Sequence, residues 1–531
     1  MKPILGSCGI VRHLQVLGAA SLLLLAGPVT AATFTEQGAS VLIESPASPN
    51  LDAISCSFAD IDNDGDPDLL IQGASTARRM FLNNKIPNGI GSFTKITTGP
   101  VNSADGTGWS ACWGDYDSDG RIDVFEGQAN NGGGSASSGD LYRNLGGSFS
   151  NVSASTINDP GFHQNVAWCD IDKDGDLDLL IGMEGPELHQ VYIQNNSTSF
   201  TQAGATMGMQ VPYGYKAYGM AIGDSDGDGD FDVYISTCIS TQIIRNNFFR
   251  NDISTNSVGR AFVDIADSNG TQYMNNSYSC GFYDFDNDGD LDLLMAGADG
   301  WASKIFRNNG SNNFTDVDTL STHPLLSNQG GDFNGAQALD YDNDGDLDLY
   351  FHDHLSSGSF NQARRLYRND GNWQFTDVTV AEGLGGTNEG GYDSAWADFD
   401  LDGDLDLAFP TGSTAPERFF TSTVSTNGNK WLYVKLQGLS PNTRAIGAQI
   451  YVTIFKSTVN EKTLRRDCNT NANAFHQDDL PVHFGLGSAT IVDELKIVWP
   501  NGTQRILTNV AVNQRLNVAQ FAASVDDWPL Y

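Results

Sequence analysis

The chain has 531 residues, 40% of them hydrophobic, with 65 acidic side chains against 29 Lys and Arg and a formal charge of −36. That length exceeds one ordinary domain and can bury a sizeable core. The acidity argues against nucleic acid or an anionic membrane surface as a partner, since both need basic patches, and the 10% aromatic content argues against a disordered acidic chain.

At the N-terminus, Lys2, Arg12 and His13 precede the apolar run VLGAASLLLLAG, and small residues (PVTAA) follow it. This is the pattern of a secretory signal over residues 1–32, cleaved after Ala31 or Ala32. The run is short for a bilayer span, and no later stretch of 18 apolar residues exists. The mature protein is expected to be exported, extracellular or periplasmic, with no transmembrane segment. Six cysteines remain beyond Cys8: Cys56, Cys112, Cys169, Cys238, Cys280 and Cys468. Their wide spacing, without CxxC, does not support a zinc knuckle or c-type haem, and leaves buried thiols and disulfides both open.

Asp-rich loops then recur seven times, as DIDNDGDPD, DYDSDGRID, DIDKDGDLD, DSDGDGDFD, DFDNDGDLD, DYDNDGDLD and DFDLDGDLD. They start at Asp60, Asp115, Asp170, Asp224, Asp284, Asp340 and Asp398, at spacings of 54 to 60 residues. A near-constant period marks an array of structural repeats. Positions 1, 3, 5 and 9 are Asp in every copy, and position 6 is always Gly. Position 4 varies freely, so its side chain is expected to bind nothing essential. Position 7 is Asp six times and Arg121 once, which points to use of its backbone carbonyl. Hard oxygen donors on alternate residues around a Gly turn are the logic of a calcium loop.

The candidate ligands are therefore Asp60, Asp62, Asp64 and Asp68; Asp115, Asp117, Asp119 and Asp123; Asp170, Asp172, Asp174 and Asp178; Asp224, Asp226, Asp228 and Asp232; Asp284, Asp286, Asp288 and Asp292; Asp340, Asp342, Asp344 and Asp348; and Asp398, Asp400, Asp402 and Asp406. Up to seven Ca²⁺ would be held. Crowded carboxylates repel unless a divalent ion relieves them, and the absence of His or thiolate donors favours calcium over zinc. An EF-hand is ruled out at position 12, where its bidentate Glu is replaced in six copies and only Glu126 would serve. Short β-forming runs such as LLIQG and LYFHD follow the loops, so each loop joins two strands. About fifteen residues on, LYRNLGGSFSNV, IFRNNGSNNFTDV and LYRNDGNWQFTDV add a second hairpin. Four strands per unit is the content of a propeller blade.

These repeats resemble the FG-GAP/VCBS repeats of integrin α-subunit propellers and many secreted bacterial proteins. The resemblance implies an all-β fold, a seven-bladed β-propeller with calcium-binding loops over residues 33–426. The start of the mature chain, TFTEQGASVLIE, is like the FTDVT closing the sixth unit, so the N-terminal strand is expected to complete the last blade. From residue 427 to 520 alternating runs (WLYVKL, AQIYVTI, ELKIVWP) predict a small β-rich domain, followed by a tail at 521–531. AIGAQI, HFGLG and VWPNG resemble the ASPIC/UnbV domain, and the combination is similar to bacterial homologues of the cartilage acidic protein family. RDCNTNANAFHQDDL matches that domain only loosely.

Catalytic patterns are weak: no GxSxG, HExxH or P-loop is present. His352, Asp353 and His354 lack an identifiable third metal ligand, and His483 reads as a structural hydrogen-bonder. Trp109, Trp113, Trp168, Trp301 and Trp396 are able to stack on sugars, but most lie on strands entering the loops, where core packing is the better reading. The expected function is an extracellular binding or adhesion module with structural calcium, its partner a protein or glycan. The alternative is a carbohydrate-active enzyme such as a polysaccharide lyase.

Overall fold

A computed structural model describes residues 34–37, 53–73, 78–85, 92–97, 99, 108–128, 139–153, 157, 161–184, 189–197, 199–209, 216–238, 245–253, 261–298, 301–317, 333–353, 364–385, 393–411, 417–424, 427–470, 477–521 and 526–527. They lie in one compact unit, Ala31–Tyr531. His354 falls outside the described residues, as does the proposed signal.

Each repeat forms a four-stranded antiparallel sheet, and seven such sheets precede the C-terminal region. In the first repeat the strands are Ala53–Ala59, Asp68–Gly73, Arg79–Asn83 and Phe93–Lys95, paired in that order. The Asp loop joins the first two. Asp68–Gly73 (DLLIQG) is buried at every position, which explains its unbroken apolar run. The short outer strand Phe93–Lys95 buries only its Phe fully. First strands of successive sheets touch one another, so the sheets converge on these strands like blades. Trp113 Nε1 donates to Ser57 Oγ at 2.9 Å and Trp396 Nε1 to Gln337 Oε1 at 3.1 Å, each tying one sheet to the next.

The seventh sheet takes its outer strand from the other end of the chain. Thr35–Glu36 pairs antiparallel with Arg418–Thr421, in register Thr35↔Thr421 and Glu36↔Phe420. The N-terminal segment thereby closes the array, as its likeness to the sixth unit predicts, and covers what would be an open edge. The first and seventh sheets are joined by a buried ion pair, Arg79 Nη2 to Glu417 Oε1 at 2.5 Å. Asn83 Nδ2 also donates to Phe399 O at 2.8 Å across the same seam.

The C-terminal region forms two further four-stranded sheets. One runs Val482–Gly487, Lys430–Gln437, Gln514–Ala519, Asp526–Asp527, and the other Lys462–Asp467, Gln449–Ile454, Val492–Val498, Gln504–Val510. Their inner faces share a core that includes Val434, Ile450, Leu464, Phe484 and Trp499. All six cysteines beyond Cys8 are buried free thiols, so the disulfide option is not realised.

Candidate metal centres

The repeated loop builds the same geometry from the same residues. Position 6 sits at positive φ in every copy, from 87° at Gly120 and Gly229 to 104° at Gly65, a conformation that a Cβ would strain. The residues at positions 2 and 8 go into the core: Ile61 is 0% exposed, Tyr341 2% and Leu347 3%, anchoring the turn as their apolar character predicts. Backbone amides inside the loop donate to its carboxylates, for example Gly345 N to Asp340 Oδ2 at 2.9 Å and Asp346 N to Asp344 Oδ1 at 2.9 Å.

Position 9 is a staple as well as a candidate ligand. Asp68 Oδ2 accepts from Ile61 N at 2.8 Å, and its Oδ1 accepts from Asn83 N on the third strand at 2.7 Å. The same pair of bonds recurs at Asp178, Asp232, Asp292, Asp348 and Asp406. The third-strand Asn then reaches into the preceding blade: Asn144 Nδ2 donates to Ile61 O at 2.8 Å, and Asn308 Nδ2 to Ser225 O at 2.7 Å. Sequence reasoning assigned this Asn no role, although its recurrence in LYRN and IFRN was the available signal.

Carboxylate oxygens from positions 1, 3 and 9 lie within 4.8 Å of one another in the first, second, third and fifth loops, and those of positions 1, 3 and 5 do so in the fourth. Buried oxygens at these positions have no hydrogen-bond partner: Asp117 Oδ1, Asp123 Oδ2, Asp170 Oδ1, Asp284 Oδ1, Asp286 Oδ1 and Asp400 Oδ1. An unsatisfied buried carboxylate oxygen is costly unless a cation meets it. Burial, reinforced by neighbouring carboxylates, raises Asp123 and Asp178 from 3.8 to about 9, and Asp284 to about 7. The donor set is all oxygen and fits a hard divalent ion.

One expectation is corrected and another extended. Position 4 is not idle: it holds a left-handed conformation (Asn63 61°, Lys173 64°, Leu401 61°), and at Asn63, Lys173, Asn287 and Asn343 its side chain links loops. Position 7 is likewise used through its side chain. Lys173 Nζ pairs with Asp230 Oδ1 at 2.9 Å, Asn287 Nδ2 donates to Asp346 Oδ1 at 3.0 Å, and Asn343 Nδ2 to Asp404 Oδ1 at 3.2 Å. In these three loops position 4 thus reaches position 7 of the next, whereas Ser118 Oγ donates to Pro441 O at 2.6 Å. Where position 7 is Arg121, Asn63 Nδ2 instead bonds Gly120 O at 3.3 Å. Glu126, the one Glu at position 12, is committed elsewhere, its Oε2 lying 2.8 Å from Arg78 Nε.

The C-terminal domain docks on the loop face. Lys435 Nζ lies 2.7 Å from Asp60 Oδ2, Gln449 Nε2 3.0 Å from Asp224 Oδ2, and Arg515 Nη1 2.8 Å from Asp398 Oδ2; the Thr443 hydroxyl donates to Asp115. The motif HFGLG meets the loops directly. A Cβ on Gly485 would sit 2.1 Å from Asp340 Oδ2, so only Gly permits this approach. His483 hydrogen-bonds the Gly403 backbone, and burial, then Arg466, lowers it to about 3, which keeps it neutral and structural.

The loosely matching stretch has a place too. Thr470 Oγ1 accepts from Trp168 N at 2.9 Å and donates to Trp168 O at 2.7 Å. Gln477 accepts from Phe58 N at 3.1 Å and Trp113 N at 2.7 Å, and Asp478 Oδ1 from Trp396 N at 2.8 Å. These first-strand groups have no further strand to pair with, and the inserted segment satisfies them.

A family model of the FG-GAP-like repeat matches residues 60–126, 130–181 and 284–351, and a model of the ASPIC and UnbV domain matches residues 438–525. The chain carries FG-GAP-like repeats followed by an ASPIC/UnbV domain. No curated protein matches it, and none of the comparisons shows the expected likeness to cartilage acidic proteins. Among solved structures, an Agrocybe aegerita lectin described as recognising non-reducing terminal N-acetylglucosamine is 16% identical, with 70% of this chain and 86% of that chain covered at a TM-score of 0.38. The BBS1N–ARL6DN complex is 11% identical, with 71% and 94% covered at a TM-score of 0.42.

Outside the FG-GAP loops, His352 Nδ1 lies 3.1 Å from Ser394 Oγ and its Nε2 3.7 Å from Asp393 Oδ1. All three residues are 0% exposed, which gives a substrate no access to the hydroxyl. Trp113, Trp168 and Trp396 are buried at 0–2% and pack in the core. Trp301, at 48% exposed, is free to stack on a ligand.

Proposed function

We propose that the chain is an exported, calcium-stabilised propeller that acts as an extracellular binding or adhesion module. The carrying observation is the set of buried, unpartnered oxygens at loop positions 1, 3 and 9. Calcium would be held by the Asp loops, and its contribution is charge neutralisation where strand meets strand. Repetition of one centre around the sheets supports a structural role better than a single catalytic one. The ASPIC/UnbV domain occupies the loop face, which supports the opposite face as the one offered to a protein or glycan partner.

Elemental analysis of the purified protein tests the metal: several calcium equivalents per chain are expected, and none would overturn the reading. A glycan array run beside a lyase assay on acidic polysaccharides tests the role. Binding without turnover supports the module, whereas calcium-dependent release of unsaturated sugars would replace it with a lyase.

A further inference from the structure

The seven first-position carboxylates do not meet the C-terminal domain alike. Asp60 and Asp398 each receive a cation from it, Lys435 and Arg515. The carboxylates of Asp115 and Asp224 receive neutral donors, Thr443 and Gln449, although Arg465 also bonds the Asp224 carbonyl at 3.4 Å. Arg466 acts on Asp284 and Asp340 through space. Asp170 meets no hydrogen-bonding side chain of that domain among the described residues, and its Oδ1 is unpartnered.

The two direct cations are held where they cannot easily leave. The Arg515 side chain is 6% exposed and lies over the Tyr433 ring, 4.7 Å from its centroid; Lys435 is 21% exposed. Both sit on the paired central strands Lys430–Gln437 and Gln514–Ala519. Three other arginines touch loop carboxylates, Arg143 at Asp117 and Asp119, Arg121 at Asp119, and Arg307 at Asp286 and Asp288, while Lys462 of the C-terminal domain meets the seventh-position Asp346 at 2.6 Å. These three arginines belong to the repeats and are 39%, 34% and 34% exposed, so they can swing into water when an ion enters. Arg515 and Lys435 are more enclosed and have less room to withdraw without a shift of the domain.

We propose that the C-terminal domain grades the seven loops by calcium affinity, with Arg515 and Lys435 making the seventh and first the weak sites. A fixed cation on a ligand carboxylate repels an entering divalent ion in surroundings that screen poorly. Coupling between two binding events is reciprocal, so calcium in these two loops loosens the docking of the domain. The inference rests on the calcium reading above and assigns the domain a role as sensor of partial loading.

The experiment is a calcium titration by calorimetry on the full chain, stripped with chelator, for wild type, Lys435→Gln, Arg515→Gln and the double variant. Gln keeps an amide donor, as Gln449 does at Asp224, and removes the charge. Two sites are expected to tighten by about tenfold in the double variant, with the remaining sites unchanged. Lys456→Gln, which removes a cation paired with Glu494 away from the loops, is expected to leave the isotherm as it is. Hydrogen exchange supplies the second readout: calcium speeds exchange across Lys430–Gln437 in wild type and not in the double variant. Superimposable isotherms for wild type and double variant overturn the inference while leaving calcium binding intact. Absence of calcium binding in every variant overturns the reading beneath it. Should a Gln variant not fold, Arg515→Lys decides, since retained charge must keep the site weak and tightening there refutes the mechanism.

Discussion

Asn343 of the sixth loop donates to Asp404 of the seventh at 3.2 Å, and both are buried, at 1% and 0% exposure. The bond crosses from blade to blade outside the strand ladder, and it joins two positions that comparison of the repeats ranked as least important. Asn343→Ala is expected to cost about 1–3 kcal/mol by weakening the environment of a buried carboxylate. Urea unfolding in calcium, set against wild type, measures it.

Chelation and pH act together on the loops. Burial raises the folded values of Asp123 and Asp178 from 3.8 to about 9 and of Asp170 to about 6. A raised carboxyl favours the folded state while protonated, so its contribution is present below the unfolded value and lost as pH rises through the folded one. In EDTA the melting temperature is expected to fall as pH climbs from about 4 to about 9. Calcium binds the ionised form and reverses the trend, giving the largest gap between calcium and EDTA at the alkaline end. Melting curves that superimpose with and without chelator would contradict this.

The Arg79–Glu417 pair sits at the seam of the first and seventh sheets, with side chains 4% and 5% exposed. Arg79→Ala leaves Glu417 buried without its cation and is expected to cost about 3–5 kcal/mol. Replacing both partners with Met removes the stranded charge and recovers most of that loss. Unfolding free energies of the single and double variants provide the check.

Thr470 bonds both backbone groups of Trp168 through one hydroxyl. Thr470→Val keeps the shape and removes both bonds, at a cost of about 2 kcal/mol. Trp168 also stacks with Tyr116, with ring centroids 6.2 Å apart, so the change is expected to shift tryptophan emission.

Much of this was written plainly in the chain. Asp at fixed intervals beside LLI-type runs gave the loops, the strands and the period, because ligand spacing and strand burial are local properties. The N-terminal strand was legible because its residues copy those of another repeat. What escaped was relational. Nothing in Asn343 or Asn144 marks the neighbour each will meet, since that neighbour lies 61 positions away in one case and 83 in the other. Thr470, Gln477 and Asp478 looked irregular because their partners are first-strand edges of the repeats. A segment shaped to foreign backbone has no periodicity of its own.

The pairing of Thr35 with Thr421 sets an order of events during biosynthesis. Thr421 Oγ1 and Thr35 O are 386 positions apart, so this early strand waits for nearly four hundred residues before its partner exists. Closing so large a loop is slow, and an unpaired strand edge is exposed meanwhile. Keeping the first strand short, two residues in length, limits what that edge can recruit. Maturation of the whole chain is therefore timed by its last repeat: a truncation before Arg418 would release an unfinished, association-prone arc.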